Sequence, residues 1–141
     1  MPKRKAEARW NGDLQNGNGT VKLGSGSFEG MYSFSTRFEE GVGTNPEELI
    51  GAAHAGCFSM ALSAGLAGAG HSPQNVHTDA TVDLAKDNGG FTIKSITLDC
   101  KAEVPGISEE EFQKQAEDAK KGCPVSRALT GVDIKLNASL K

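Results

Sequence analysis

Residues 45–70 read NPEELIGAAHAGCFSMALSAGLAGAG and decide the fold, because they predict one long helix. Asn45 suits the N-cap, Pro46 suits the first helical position, and Glu48 completes an arrangement like a capping box. Glycines become frequent just before residue 70 and mark the end of the helix. The rest of the chain is therefore interpreted as material that covers this helix.

Residues 49–70 contain no Asp, Glu, Lys or Arg, so a membrane span is the first hypothesis to test. The stretch is rich in Gly, Ala and Ser, includes His54 and has few strong hydrophobes, which favours a buried helix and no membrane contact. A helix that is apolar nearly all round needs cover on several sides, and its small residues permit close helix packing. One small domain supplies little cover, so a partner subunit is predicted.

Short strands and turns are predicted on both sides of the helix. The predicted strands are residues 5–10, 20–23, 31–38, 76–84, 91–104 and 132–140, with a helix at 108–122 and a helical turn at 123–129. A turn at 87–90 makes a hairpin, and the alternation changes phase between Ile93 and Ile96, which suggests a bulge. Strands do not alternate one for one with helices, so the fold class is α+β, in a single domain over residues 1–141.

The composition excludes several function classes. Fifteen Lys and Arg against eighteen Asp and Glu give a net charge of −3, which argues against binding to nucleic acid. No phosphate loop or nucleotide fingerprint is present, so no cofactor is expected. The amino terminus lacks the apolar run of a secretory signal, which predicts a cytoplasmic protein; that environment disfavours a stable structural disulfide and permits a reactive or transient one.

Three cysteines lie in different settings, and no two form a Cys-x-x-Cys pair. Cys57 lies in the middle of the long helix, where a cysteine by itself is usually a small buried hydrophobe. Cys123 precedes Pro124 at the start of a short helix, where free N–H groups stabilise a thiolate, and an inert turn residue is an equal alternative. Cys100 lies in an apolar strand and is interpreted as a buried structural residue.

Two further sets of side chains are weighed. His54 and Cys57 are three residues apart on one helical face, so both could bind one zinc ion. The other zinc ligands would come from Cys100, Cys123, His71 or His77. Packing is the favoured interpretation because none of these forms a second close pair. Arg37 and Glu47, from spacing alone, are a surface charge and a residue that stabilises the helix dipole.

Three segments together resemble the OsmC/Ohr family of proteins. Residues 36–39 (TRFE) and 43–62 (GTNPEELIGAAHAGCFSMAL) resemble its first cysteine motif, and 122–126 (GCPVS) resembles its second. The opening ARWNGD at residues 8–13 resembles the family's first strand and turn. The resemblance runs nearly end to end, and His54 and Arg37 point to the OsmC branch rather than the Ohr branch.

The resemblance implies a thiol peroxidase that acts on organic hydroperoxides. The implied fold has antiparallel sheets around a long central helix, in an intertwined homodimer with two active sites at the interface. Carried over residue by residue, Cys57 is the peroxidatic cysteine, Cys123 the resolving cysteine, Arg37 the residue that holds the Cys57 thiolate, and Glu47 the residue that orients Arg37. An external dithiol of the lipoyl type is the implied reductant, and Cys100 has no role.

Elementary chemistry agrees with these roles. A cysteine in the middle of a helix needs a cation to stabilise its thiolate, and Arg37 is permanently charged. Glu47 and Cys57 are ten residues apart, about 15 Å along one helix axis, so Arg37 and Glu47 are predicted to meet Cys57 across the interface between two antiparallel helices. Apolar neighbours, expected to be Phe58, Met60 and Leu62, would suit alkyl or lipid hydroperoxides.

Two hypotheses of other classes stay open beside the peroxidase. The first is a redox sensor or binding module that uses the cysteine pair without turnover. The second is a zinc-binding protein.

Overall fold

The computed structural model describes residues 1–141, which form two compact units, residues 1–49 and 50–141. The first unit contains β1 (Ala6–Asn11), β2 (Asn18–Leu23), β3 (Glu29–Tyr32), α1 (Phe34–Phe38) and the first turn of α2 (Pro46–Gly68). The second contains the rest of α2, then β4 (Asn75–Asp87), β5 (Gly90–Glu103), α3 (Glu109–Gly122), α4 (Pro124–Ala128) and β6 (Asp133–Leu140). The α+β class is confirmed; the single domain stays a prediction.

The first unit has an antiparallel sheet in the order β1-β2-β3, followed by a helix that the sequence analysis missed. The strand predicted over residues 31–38 ends at Tyr32, and its second half is α1. Ser33 and Thr36 cap this helix reciprocally: the Ser33 hydroxyl accepts from the Thr36 N–H, and the Thr36 hydroxyl accepts from the Ser33 N–H. This capping box outweighs the alternating apolar pattern, so Arg37 lies on a helix and not at the end of a strand.

The start of α2 is fixed largely as predicted. The Asn45 side-chain oxygen accepts the Glu48 N–H at 2.7 Å, so Asn45 acts as the N-cap. The Glu48 carboxylate accepts a hydrogen bond from the Thr44 hydroxyl at 2.7 Å, and this bond replaces the second half of the predicted capping box. The Asn45 amide also donates to the Thr36 carbonyl at 2.9 Å, which ties the start of α2 to α1.

The second unit has a sheet in the order β4-β5-β6. β4 and β5 form the predicted hairpin, with Asn88 and Gly89 at positive φ in the turn, and their register shifts beside Asp83, which confirms the bulge. β6 runs parallel to β5, which corrects the expectation of purely antiparallel sheets. The chain returns to the sheet through α3 and α4, and a crossover of this length permits parallel pairing.

The core of the second unit lies between one face of α2, the inner face of β5 and a stripe on α3. Gly51 allows close approach of α2 to the sheet, since an added Cβ would lie 3.2 Å from a Val82 methyl carbon. The buried apolar residues are Phe58, Leu62 and Leu66 on α2, Ile96, Leu98, Cys100 and Ala102 on β5, and Phe112, Ala116 and Ala119 on α3. Cys100 is therefore a core residue, as predicted.

The opposite face of α2 is exposed. Its members are small or apolar: Ala52, Ala53, Gly56, Met60, Ala64 and Ala67. The Met60 residue is 77% exposed, and by length and composition alone the helix would be long enough to cross a membrane. Phe58 and Leu62 are fully buried in the core, so the expectation that both would surround a substrate is wrong. Only Met60 of the three residues is available for outside contacts.

We expect Leu62→Ala to lower the free energy of unfolding by about 2–5 kcal/mol, because it leaves a cavity in the core between α2 and β5. Urea denaturation measures this change. The matched control is Leu14→Ala, which removes the same atoms from an exposed residue and is expected to change the value by no more than about 0.5 kcal/mol. Equal effects of the two substitutions would contradict the described core.

Candidate active site

Cys123 occupies the position that the sequence analysis gave it, at the N-cap of α4 with Pro124 next to it. Its sulfur accepts a hydrogen bond from the Ser126 N–H at 3.3 Å and lies 3.4 Å from the Ser126 hydroxyl oxygen. The residue is fully buried. The Ser126 N–H, in a site without bulk water, favours the negatively charged form of the sulfur.

Cys57 lies on α2, half-buried, and its thiol interacts electrostatically with the thiol of Cys123. Both cysteines are free, and the backbone N–H of Val125 lowers the pKa of each thiol. The fold therefore brings together two of the four predicted site residues, from positions 66 residues apart in the sequence (123 − 57). Two interacting thiols of this kind hold protons as a pair and not independently.

The surroundings shift the pKa values of the two thiols in opposite directions. Burial raises the pKa of Cys57, and the Cys123 sulfur raises it further, against an opposing hydrogen bond from the Val125 N–H. Burial also raises the pKa of Cys123, but hydrogen bonds from Ser126, Cys57 and Val125 outweigh burial, and the net pKa is below that of an ordinary thiol. The directions of the two shifts favour the negative charge on Cys123 and the remaining proton on Cys57 when the pair has lost one proton. Cys57 therefore needs a cation from elsewhere to become the thiolate.

His54 also belongs to this cluster, although the sequence favoured a packing role for it over that of a zinc ligand. It is fully buried, and its Nε2 lies 2.7 Å from the Ser126 hydroxyl oxygen, while its Nδ1 has no hydrogen-bond partner. Burial lowers the pKa of the imidazole, which favours the neutral ring. The available signal was the spacing of three residues in both His54–Cys57 and Cys123–Ser126, which puts each pair on one helical face.

The ligand set of the zinc hypothesis does not assemble. No group of three or more His, Cys, Asp or Glu side chains lies close enough to hold a metal ion. His54 and Cys57 share a neighbourhood with Cys123, but the nearest polar partner of His54 is the Ser126 hydroxyl. The zinc ligands suggested by the sequence are therefore wrong.

Arg37 and Glu47, the other two predicted site residues, form an ion pair in the first unit. Arg37 Nη2 donates to Glu47 Oε1 at 2.8 Å, and Arg37 Nε donates to both carboxylate oxygens at 3.0 and 3.3 Å. The Glu47 side chain is 8% exposed and the Arg37 side chain 37%, so an anchored carboxylate fixes a guanidinium that is accessible from outside. Contact between Arg37 and the Cys57 sulfur stays a prediction.

Cys100 is separated from this chemistry by its own hydrogen bonds. Burial raises the pKa of its thiol, against an opposing hydrogen bond with Thr78, and the Thr78 hydroxyl lies 2.7 Å from the Ser59 hydroxyl. A buried thiol with a raised pKa is a poor nucleophile. The structural interpretation of Cys100 therefore agrees with its surroundings.

Comparisons with known proteins agree with the resemblance. A family model described as OsmC-like protein matches residues 39–137, a range that contains Glu47 and both cysteines of the pair. Peroxiredoxin OsmC of Escherichia coli is 49% identical over 139 residues, which cover 98% of this chain and 96% of that protein. An organic hydroperoxide resistance protein of Xanthomonas axonopodis is 36% identical over 98 residues, 68% of this chain and 67% of that protein.

Solved structures show the same fold. The organic hydroperoxide resistance protein OhrB of Bacillus subtilis superposes with a TM-score of 0.77 at 27% identity and covers 96% of this chain and 98% of that chain. The higher identity to the OsmC protein than to the hydroperoxide resistance proteins confirms the predicted branch.

We expect mild oxidation with diamide to join Cys57 and Cys123 within one chain, because their thiols are neighbours that already interact. Peptide mapping by mass spectrometry of the unreduced protein identifies the bond. The Cys100→Ser chain is expected to form the same disulfide, and the Cys123→Ser chain is expected to form none. A principal disulfide that includes Cys100 would contradict the described site.

Proposed function

Because the chain belongs to the OsmC-like family, we propose that it is a cysteine-based peroxidase that reduces organic hydroperoxides to alcohols. The observation that carries the proposal is the interacting pair of Cys57 and Cys123, which, once singly deprotonated, holds one proton and one negative charge next to each other. The named functions of the relatives, a peroxiredoxin and organic hydroperoxide resistance proteins, support it. The reaction needs side chains only and no bound cofactor.

The first step uses the shared proton. Transfer of the proton from Cys57 to Cys123 leaves a Cys57 thiolate, which attacks the terminal oxygen of the hydroperoxide. The S–O bond forms as the O–O bond breaks, so Cys57 becomes a sulfenic acid and an alkoxide leaves. The alkoxide takes its proton from the Cys123 thiol and departs as an alcohol. The pair thus supplies both the nucleophile and the acid, and Cys123 ends the step as a thiolate.

The second step closes the disulfide. The Cys123 thiolate attacks the Cys57 sulfur, the S–S bond forms, the S–O bond breaks, and the hydroxide that leaves takes a proton to become water. An external dithiol then reduces the disulfide by two electrons and restores both thiols. A lipoyl-type dithiol is the proposed reductant, and the need for a reducing environment fits the proposed cytoplasmic location.

The proposal includes a homodimer that completes the site. α2 is continuous from Pro46 to Gly68, so Glu47 and Cys57 are about 15 Å apart along its axis. The exposed apolar face of α2, with Met60 on it, is suited to a second copy of the same helix. In this arrangement Arg37 of the second copy, fixed by Glu47, stabilises the Cys57 thiolate and the charge on the leaving oxygen.

The activity is tested by hydroperoxide consumption with a dihydrolipoyl reducing system. Wild type is expected to turn over cumene hydroperoxide faster than hydrogen peroxide, and Cys57→Ser is expected to abolish turnover because it removes the nucleophile. Cys100→Ser is the matched control and is expected to keep most of the activity. An absence of turnover with any dithiol, while Cys57 and Cys123 still join on oxidation, would favour the redox sensor over the enzyme.

The shared site is tested by complementation between two inactive variants. Arg37→Gln is expected to lower kcat/KM about a hundredfold, because it removes a cationic donor from the reacting sulfur and oxygen. Mixed with Cys57→Ser and allowed to exchange subunits, it is expected to recover about a quarter of the wild-type activity, since each hybrid dimer contains one complete site.

The alternative to this shared site is one built within a single chain. In that case every Cys57 in the mixture would face a substituted Arg37, and the mixture would stay inactive. Each variant measured alone and never mixed is the control.

A further inference from the structure

His54 is a buried titratable group that the proposed mechanism does not use. Its ring is fully excluded from solvent, yet one of its two nitrogens, Nδ1, has no hydrogen-bond partner. The other, Nε2, makes a short contact of 2.7 Å with the Ser126 hydroxyl oxygen, which is itself 3.4 Å from the Cys123 sulfur. The side chains of His54, Ser126 and Cys123 therefore form a row of polar contacts that ends at the sulfur of the resolving cysteine.

The unpartnered Nδ1 of His54 determines which side chain in this row donates each hydrogen bond. A neutral imidazole carries one N–H, on either Nδ1 or Nε2. A proton on Nδ1 would be a buried donor without an acceptor, which native structures rarely tolerate, whereas an unpaired lone pair is tolerated more often. The hydrogen of neutral His54 therefore belongs on Nε2, and this N–H donates to the Ser126 oxygen.

The direction of that bond fixes the direction of the next one. Ser126 has a single hydroxyl hydrogen, and since its oxygen accepts from His54, the hydrogen is free to point at the Cys123 sulfur. In the opposite tautomer the hydroxyl would donate to His54 and present only lone pairs to Cys123, which would oppose a thiolate. The Ser126 N–H adds a second donor to the same sulfur at 3.3 Å.

We propose that His54 is a positioning residue for Cys123, which it serves by turning the hydrogen of the Ser126 hydroxyl toward the Cys123 sulfur. The inference rests on the proposed function and deepens it, because it assigns a device that keeps the resolving cysteine in its nucleophilic form. The same device serves reduction. The external dithiol reaches the half-buried Cys57 more easily than the fully buried Cys123, so Cys123 leaves as the thiolate that Ser126 stabilises.

Few other groups affect the pKa values in this row of side chains. The groups that act on the Cys123 sulfur are Cys57 from α2, together with Ser126 and the Val125 N–H from α4. No carboxylate, ammonium or guanidinium group contributes to the lowered pKa of Cys123, and burial alone lowers the pKa of His54. A change at His54 therefore reaches Cys123 through Ser126.

The first experiment titrates the Cys123 thiolate by its ultraviolet absorbance in the chain with both Cys57→Ser and Cys100→Ser, where Cys123 is the one thiol left, and it needs no peroxide and no turnover. Three substitutions are added singly: Ser126→Ala, His54→Gln and His54→Asn. The amide nitrogen of Gln reaches about as far as Nε2 and can still donate to Ser126, whereas that of Asn reaches only about as far as Nδ1. His54→Gln and His54→Asn are thus a matched pair, of which only Gln keeps the proposed hydrogen bond to Ser126. His77→Gln, at an exposed histidine, is the control for the substitution itself.

Ser126→Ala and His54→Asn are expected to raise the pKa of Cys123 by about one unit, and His54→Gln is expected to keep it near the starting value. Equal pKa values for the Gln and Asn chains would overturn the proposal, as would an unchanged pKa in the Ser126→Ala chain. If Asn unfolds the protein and Gln does not, the Ser126→Ala result alone decides. An absence of peroxidase activity in the wild-type protein would reject the proposed function, but it would not change the result of this titration.

The second experiment separates the two chemical steps in the chain that contains both cysteines. Stopped-flow mixing with cumene hydroperoxide follows formation of the Cys57 sulfenic acid, trapped with dimedone, and formation of the disulfide. His54→Asn is expected to slow disulfide formation about three- to fourfold, since a tenfold loss of thiolate is partly offset by higher nucleophilicity. An unchanged rate of disulfide formation, or full slowing with His54→Gln, would contradict the positioning role.

Discussion

The interaction between the Cys57 and Cys123 thiols is the one on which the proposed function depends. Two interacting thiols lose their protons as a pair, because the charge on each affects the pKa of the other. Within the second unit the negative charge is favoured on Cys123, which has donors from Ser126 as well as the Val125 N–H, and the proton is favoured on Cys57, whose one backbone donor is the Val125 N–H. The proposed chemistry is a sequence of movements of that one proton and of the electrons of the two sulfurs.

The surrounding structure holds these sulfurs together by ordinary means. α2 is anchored to the sheet by Phe58, Leu62 and Leu66, which fixes the height and rotation of the helix and therefore the position of Cys57. Cys123 is fixed as the N-cap of α4, where capping and thiolate stabilisation use the same N–H group of Ser126. Burial then makes each hydrogen bond at the pair electrostatically stronger than the same bond in water.

In the ion pair of Arg37 and Glu47, a buried residue likewise holds a second residue in position. Glu47 is almost completely buried and contributes both carboxylate oxygens, while Arg37 keeps an accessible guanidinium. The exposed apolar face of α2 gives a physical reason for a second copy of the chain, since water contact with that face is unfavourable. A dimer would therefore use the same helix for burial of apolar surface and for completion of the site.

The sequence predicted features that depend on local chemistry. Asn45 as an N-cap, Cys123 as the cap of a short helix and the bulge near Lys94 are all set by neighbours within a few residues, and all are confirmed. The capping box at Ser33 is also local, and it was overlooked because the apolar alternation of the segment was given more weight.

The features that the sequence did not predict depend on distant parts of the chain. β6 pairs parallel with β5 because of the path through α3 and α4, and His54 meets Ser126 across 72 residues. No spacing rule connects such positions. The thiolate-stabilising cap at Cys123 is local and was predicted, whereas the effect of each cysteine on the pKa of the other depends on the fold and was not.

The most direct test of the shared proton is an ultraviolet titration of the Cys100→Ser chain, in which Cys57 and Cys123 are the only thiols. Two separate steps of one thiolate each are predicted, the first below the pKa of an ordinary thiol and the second above it. A single step that releases both protons near the ordinary thiol value would show that the two cysteines titrate independently. That result would contradict the account of the site.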